Sequence, residues 1–307
     1  MLTPPDVPAP DTAEDDPRLG RWLAQRRSAE GARVALVGFP SDEGVRRNGG
    51  RPGAAVGPTA IRQALYRLTP DAEHGLFADL LDDTADLGDV PITGDVEADQ
   101  RALGDVLAPL LAGGVVPILL GGGHETSFGH FLGYVGAEQD VEILNWDAHA
   151  DVRPLKDGQA HSGSPFRQAV EHASGRCLRY AVAGLQPHAV ARAHLDFIDE
   201  WGGEVIWQRN LNEVRVRSIG IGLVKPTLAT FDLDAVDAAH APGVSAPNAG
   251  GLPASLWLYA AYVMGRSPRV TSFDVVELNP SFDADGRTAK LAALTVWHIL
   301  KGLGERE

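Results

Sequence analysis

One order repeats along this chain: a short apolar run, a glycine-rich or acidic turn, then a stretch of helical period. Apolar runs at residues 33–39, 115–120, 141–146, 179–184, 227–233 and 269–275 read as buried strands. Residues 57–68, 124–134, 188–201, 253–264 and 287–300 carry helical spacing between and after them. Strands that are apolar along both faces need helices on both sides of their sheet. The order therefore predicts an α/β fold of three layers, α/β/α, around a mainly parallel sheet. Residues 1–32 are polar, with prolines at 4, 5, 8, 10 and 17; they read as a mobile lead-in with a short helix near Trp22. Residues 33–307 carry no linker and read as one domain.

Charge narrows the partners. Asp and Glu number 41 against 27 Lys and Arg, for a net charge of -14. Such a balance leaves no electrostatic footprint for nucleic acid or anionic lipid. No apolar run is long enough to span a membrane. The first residues lack the basic and apolar regions of a secretory signal. Cys177 is the only cysteine, so no intrachain disulfide forms and a reducing, cytoplasmic setting is expected.

In open α/β sheets, ligands bind outside the carboxyl ends of the strands, so the residues just after each run carry the information. Gly121-Gly122-Gly123-His124-Glu125 follows the second run and Asp147-Ala148-His149-Ala150-Asp151 the third. Phe231-Asp232-Leu233-Asp234 ends the fifth, and Asp274 and Glu277 close the sixth. If the chain stays extended after Trp146, positions 147, 149 and 151 share one face. Two carboxylates and an imidazole gathered there would repel or demand solvent, and a divalent cation resolves that cost. Asp147, Asp151, Asp232, Asp234, His124 and His149 exceed what one ion needs and suit two with shared carboxylates. A set rich in carboxylate with two imidazoles favours Mn²⁺ over a thiolate zinc site. Two ions about 3.5–4 Å apart generate hydroxide near neutral pH, which points to hydrolysis. Asp237 reads as a helix cap, and an acid at the end of the sixth run as a holder of a cationic substrate group.

Taken in order, these segments resemble the ureohydrolases: arginase, agmatinase and formimidoylglutamase. Glu277-Leu278-Asn279-Pro280, Gly243-Val244-Ser245-Ala246-Pro247 and Gly250-Gly251-Leu252 extend the resemblance, which covers roughly residues 33 to 302. It implies an arginase-like fold with two Mn²⁺ per subunit. One ion would be held by His124, Asp147, Asp151 and Asp232, the other by Asp147, His149, Asp232 and Asp234. A bridging hydroxide would attack the amidino or imino carbon. Asp234 would handle its proton and Glu277 would bind the cationic nitrogen end of the substrate. The family commonly forms trimers or hexamers, so a homo-oligomer is implied.

Within the family, three features lean toward the formimidoylglutamase branch and so toward histidine breakdown. The stretch Arg46-Arg47-Asn48-Gly49-Gly50-Arg51 looks like that branch's Arg-Asn-x-Gly-Arg loop. Arg153, two residues after Asp151, suits a bidentate pair with a substrate carboxylate. Ser162-Gly163-Ser164-Pro165-Phe166 resembles the branch's Ser-Gly-Thr-Pro-Phe. Arg153, Ser162, Asn48 and Arg47 are therefore candidate substrate contacts. Arginases carry a histidine shuttle at the position of Ser162, and His161 is the candidate substitute. The alternatives are an agmatinase or other guanidino-acid ureohydrolase releasing urea, a single-zinc deacetylase, and a non-catalytic metal-binding protein on the same scaffold.

Overall fold

A computed structural model describes residues 2–73 and 75–306. Eight strands run β1 Val34–Phe39, β2 Thr84–Asp89, β3 Val116–Gly121, β4 Val141–Trp146, β5 Cys177–Leu185, β6 Glu204–Trp207, β7 Thr227–Asp232 and β8 Val270–Val276. The helices are α1 Gly20–Leu23, α2 Glu43–Arg47, α3 Gly57–Leu65, α4 Leu76–Asp82, α5 Val96–Ala112 and α6 Thr126–Gly136. They continue with α7 Pro165–Val170, α8 Arg192–Trp201, α9 Glu213–Gly222, α10 Ala254–Arg266 and α11 Arg287–Gly304.

The strands form one sheet, ordered β2-β1-β3-β8-β7-β4-β5-β6. Every pairing in it is parallel. Alternate residues of each strand feed opposite layers. Leu36, Leu120, Trp146, Phe231 and Val275 pack with α3, α10 and α11 on one face. Val37, Leu119, Ile143, Val182 and Leu228 pack with α5, α6 and α8 on the other. That double burial is why these strands read as continuous apolar runs. No helix among the described residues is long and apolar enough to cross a membrane.

The order places β3, β8, β7 and β4 side by side at the centre, although β3 and β4 are separated by two strands that come later in the chain. The carboxyl ends of these four strands carry the acidic and histidine turns. Topology, rather than nearness in sequence, assembles the site.

The lead-in differs from expectation. Thr3 exchanges backbone hydrogen bonds with Asp89 (2.8 Å each way), which covers the edge strand β2. Val7, Leu19 and Leu23 are buried in the core. Parts of residues 2–32 are therefore anchored to the domain at Thr3, Val7, Leu19 and Leu23, while none of residues 8–18 is buried. The sequence pattern also left β2, β6, α5 and α9 unmarked.

Candidate metal centre

Two turns of one design build most of the site. After β4, the Asp147 carboxylate Oδ1 accepts from the His149 N–H (2.7 Å). After β7, Asp232 Oδ1 accepts from the Asp234 N–H (2.9 Å). An aspartate that bonds the backbone two residues on folds the chain into a local turn. Asp232 Oδ2 is thereby left for the site, whereas Asp147 faces it with both oxygens while its Oδ2 also accepts from the Asn145 amide at 3.0 Å. The extended geometry expected for residues 147–151 does not occur. The strand ends at Trp146, and Asp151 sits at φ 45°. Glu277 is likewise left-handed at φ 68°. Backbone strain of this kind in non-glycine residues clusters at functional sites.

His124 comes from the turn between β3 and α6. Gly122 and Gly123 let that turn run against its neighbours: the Gly122 carbonyl accepts from Glu277 N–H, and Gly123 N–H donates to the Ser41 carbonyl, both at 2.8 Å. His124 Nδ1 then lies 2.9 Å from Asp232 Oδ2, 3.0 Å from Asp151 Oδ2 and 3.4 Å from Asp147 Oδ2. His149 Nδ1 lies 3.2 Å from Asp234 Oδ2 and 3.4 Å from Asp147 Oδ1. His124, Asp147, Asp151 and Asp232 thus offer one converging donor set, and Asp147, His149 and Asp234 a second. Asp147 belongs to both.

The donor chemistry fits cations. His124 Nδ1 is buried and has no hydrogen-bond partner, although three carboxylates surround it. Its Nε2 is engaged by the Thr230 hydroxyl at 2.9 Å, which leaves Nδ1 to present a lone pair to the centre. Asp234 Oδ1 and Glu277 Oε2 are also buried without partners. Glu277 is anchored through Oε1, which accepts from the His124 N–H at 2.8 Å. Of the six donor side chains, His149 is the most exposed, at 27%, so the site opens on its side.

Electrostatics record the crowding. Burial pushes the Asp234 carboxyl up to about 7, with His149 opposing the rise and Asp147 adding to it. Burial, then Asp234 and Asp147, hold Asp232 well above the usual carboxylate range. Burial would raise Asp147 too, but the imidazoles of His124 and His149 hold it below that range. Asp234, then Asp147, raise the His149 imidazole against the effect of burial. Burial also lifts Glu125 to about 7.

These environments set a pH dependence for the metal-free protein. A carboxyl with a raised folded pKa contributes its full stability below its unfolded value and loses it as pH rises through the folded value. Glu125 and Asp234 start from 4.5 and 3.8 and reach about 7, and the raised imidazoles have the same sign. The depressed Asp147 acts only at lower pH. A tenfold change in proton affinity between the folded and unfolded chain corresponds to about 1.4 kcal/mol. Chelator-treated protein should therefore melt several degrees lower at about pH 8 than at about pH 5, and added divalent metal should erase most of that difference. A melting temperature that is flat or rising over this range in chelator contradicts the account.

The candidate substrate residues divide. Arg153 is exposed, and its Nη1 donates to Asn48 Oδ1 at 3.0 Å. The Asn48 amide donates to Ser162 Oγ at 3.1 Å. These three form one hydrogen-bonded chain, and Arg153 follows Asp151 by two residues. Arg47 is a correction: its Nη1 donates to both Glu97 oxygens (2.9 and 3.0 Å) and its Nε to Glu43 (3.3 Å), so it anchors a loop. Arg51 does the same, with Nε on the Ser245 carbonyl and the guanidinium over Phe282. His161 is the second correction. Its Nδ1 accepts from Gly163 N–H (3.1 Å) and its Nε2 meets the Pro154 carbonyl (3.1 Å), so both nitrogens are tied off and neither is available to move a proton.

Asp274 does not face the site. It lies beneath α6, held by His130 Nδ1 (2.8 Å) and the Ser127 hydroxyl (3.1 Å). Ser127 in turn lies 3.3 Å from Thr230 Oγ1, so a polar layer backs His124. Sequence reading missed Thr230, although it stands two residues before Asp232 on the same strand face. Asp237 caps no helix; it accepts from Ala239 and Gly250 N–H groups and closes a loop.

A family model described as "Arginase family" matches residues 32–301. The chain belongs to the arginase family. A relative from Rhodococcus jostii (strain RHA1), named formimidoylglutamase, is 38% identical over 286 residues, covering 89% of this chain and 86% of its own length. One of the same name from Chromobacterium violaceum is 36% identical over 281 residues, covering 88% of each. The crystal structure of Trypanosoma cruzi formiminoglutamase with Mn²⁺ superposes with a TM-score of 0.85 at 32% identity, covering 95% of this chain and 100% of that one. The arginase-like architecture expected from the ordered segments is thus the one this chain adopts.

Proposed function

We propose that this protein is a manganese-dependent formimidoylglutamase that converts N-formimidoyl-L-glutamate and water to L-glutamate and formamide. What supports the reading is the Asn48–Arg153 pair (3.0 Å), whose arginine follows the metal-set residue Asp151 by two positions. A fixed guanidinium there suits a substrate that ends in carboxylates and repels the cationic tail of agmatine. The matched relatives bear the same activity in their names.

One Mn²⁺ is assigned to His124, Asp147, Asp151 and Asp232. The second is assigned to Asp147, His149, Asp234 and Asp232. When bound, such a pair supplies positive charge and an activated water for breaking a C–N bond. The chain's own residues do the rest. Glu277, anchored at Oε1 by the His124 N–H, keeps a buried, unpartnered Oε2 with which to hold the formimidoyl nitrogen. Asp234 Oδ1, buried and unpartnered, is the oxygen that takes the water's proton. Arg153, with Asn48 and Ser162, orients the glutamate end. We place the protein in the cytoplasm, in histidine breakdown, as a homo-oligomer, with residues 33–307 as a single catalytic domain.

A parallel assay tests this. Chelated protein reconstituted with Mn²⁺ is offered N-formimidoyl-L-glutamate, agmatine, L-arginine and guanidinobutyrate. Glutamate and formamide from the first alone is the expected result. Urea from a guanidino substrate with no turnover of formimidoylglutamate sinks the substrate assignment. Arg153→Ala should raise KM about tenfold or more, since a charge-assisted bond contributes about 1.5–3 kcal/mol. An unchanged KM removes Arg153 from the site.

A further inference from the structure

Glu125 follows a metal-facing histidine yet turns away from the centre. Its Oε1 accepts from the Gly44 N–H at 2.9 Å and the Ser41 hydroxyl at 3.2 Å. The side chain is fully buried, and two glycines make room for it. A Cβ at Gly44 would lie 2.5 Å from the Glu125 carboxyl carbon, and one at Gly123 would lie 2.2 Å from its Oε2. Both positions need glycine because this carboxylate occupies the space.

From Gly44 the bonding continues outward. The Gly44 carbonyl accepts from Ser162 N–H at 3.1 Å. Ser162 Oγ accepts from the Asn48 amide at 3.1 Å, and Asn48 Oδ1 accepts from Arg153 Nη1 at 3.0 Å. A continuous path therefore joins the turn after β3, the loop around α2 after β1, and the two ends of the loop after β4. It begins one residue from a metal-facing imidazole and ends on an exposed guanidinium.

We propose that Glu125 is the positioning residue for the substrate's carboxylate end: by pinning Gly44 it sets where Ser162 and Asn48 hold Arg153. Glu125 touches no substrate. It acts through preorganisation, because an arginine side chain already held in place loses less rotamer freedom on binding than a free one. The inference rests on the reading that Arg153 meets a substrate carboxylate.

The test compares Glu125→Ala, Glu125→Asp and Glu125→Gln in the Mn²⁺-loaded full chain. Three quantities are read: KM and kcat on N-formimidoyl-L-glutamate, Mn²⁺ affinity by titration, and amide hydrogen exchange over residues 43–50 and 161–164. Loss of the Gly44 bond in the alanine and aspartate variants should raise KM about tenfold, change kcat less than about threefold and speed exchange in both segments. Glutamine keeps an acceptor oxygen at full reach and should recover most of the lost affinity. Mn²⁺ affinity should stay within about twofold throughout, since the donors of the metal set are untouched. Aspartate keeps the decision open to measurement if alanine fails to fold. Unchanged KM and exchange overturns the proposal. A parallel loss of Mn²⁺ affinity also overturns it, because the residue would then serve the His124 turn. A parent enzyme that ignores formimidoylglutamate would instead defeat the substrate reading, and the exchange data would still decide the clamp.

Discussion

Asp232→Asn should abolish nearly all turnover while making the metal-free protein harder to unfold. Asp232 presents Oδ2 to His124 Nδ1 at 2.9 Å and spends Oδ1 on the Asp234 N–H. The amide can keep the second bond through its oxygen but is a far poorer donor to a dication. Residues that merely orient a metal ligand cost about 10–100-fold when lost, so loss of a donor itself should lower kcat/KM by at least about 10³-fold. The stability effect has the opposite sign. Burial, then Asp234 and Asp147, disfavour the charged Asp232. A neutral side chain of the same shape removes that cost, so in chelator the variant should melt above the parent, with the gap widest at about pH 8. Activity within tenfold of the parent would remove Asp232 from the metal set. A chelated variant that melts below the parent would show that repulsion does not dominate the empty cluster.

Arg62→Ala should be the most destabilising single change outside the site. Arg62 is wholly buried on α3. It grips Asp86 with two parallel bonds (2.8 and 3.0 Å), and Asp89 with a third (2.6 Å). Tyr66 adds its hydroxyl to Asp86 at 2.8 Å. Removing one partner of a buried pair leaves the other charge without compensation, which costs about 3–5 kcal/mol. Urea unfolding should show that loss, with kcat on folded protein little changed. Replacing Arg62 and Asp86 together by apolar residues of similar volume should recover much of it, because the desolvation of both charges is then avoided. A single-variant loss below about 1 kcal/mol would mean that water or a neighbouring group takes over the charge.

The same pair marks the limit of sequence reading. β2 is Thr-Ala-Asp-Leu-Gly-Asp, with two carboxylates in a six-residue strand, and its pattern does not announce burial. It is a strand because Arg62, 24 residues earlier, neutralises Asp86 beneath α3. β6 is a four-residue edge strand with three half-buried positions, too short and too mixed to stand out. The resemblance to the family made His161 and Arg47 candidate site residues, and the structure ties both into loops. Their partners, the Pro154 carbonyl and Glu97, come from segments whose approach no local pattern encodes.

What the sequence determined by itself was the class of the fold and the identity of the residues whose donor atoms converge at the candidate metal centre. Strands buried on both faces must be apolar throughout, and ionisable groups placed at their carboxyl ends must be compensated, so both features are written locally. Which strands are neighbours was decided only in three dimensions. β8 and β7 insert between β3 and β4, and that order brings His124 against Asp151 and Asp232. The tertiary structure also decided which polar side chains are free to act. A buried histidine or arginine does whatever its hydrogen-bond partners leave open, and those partners come from distant parts of the chain.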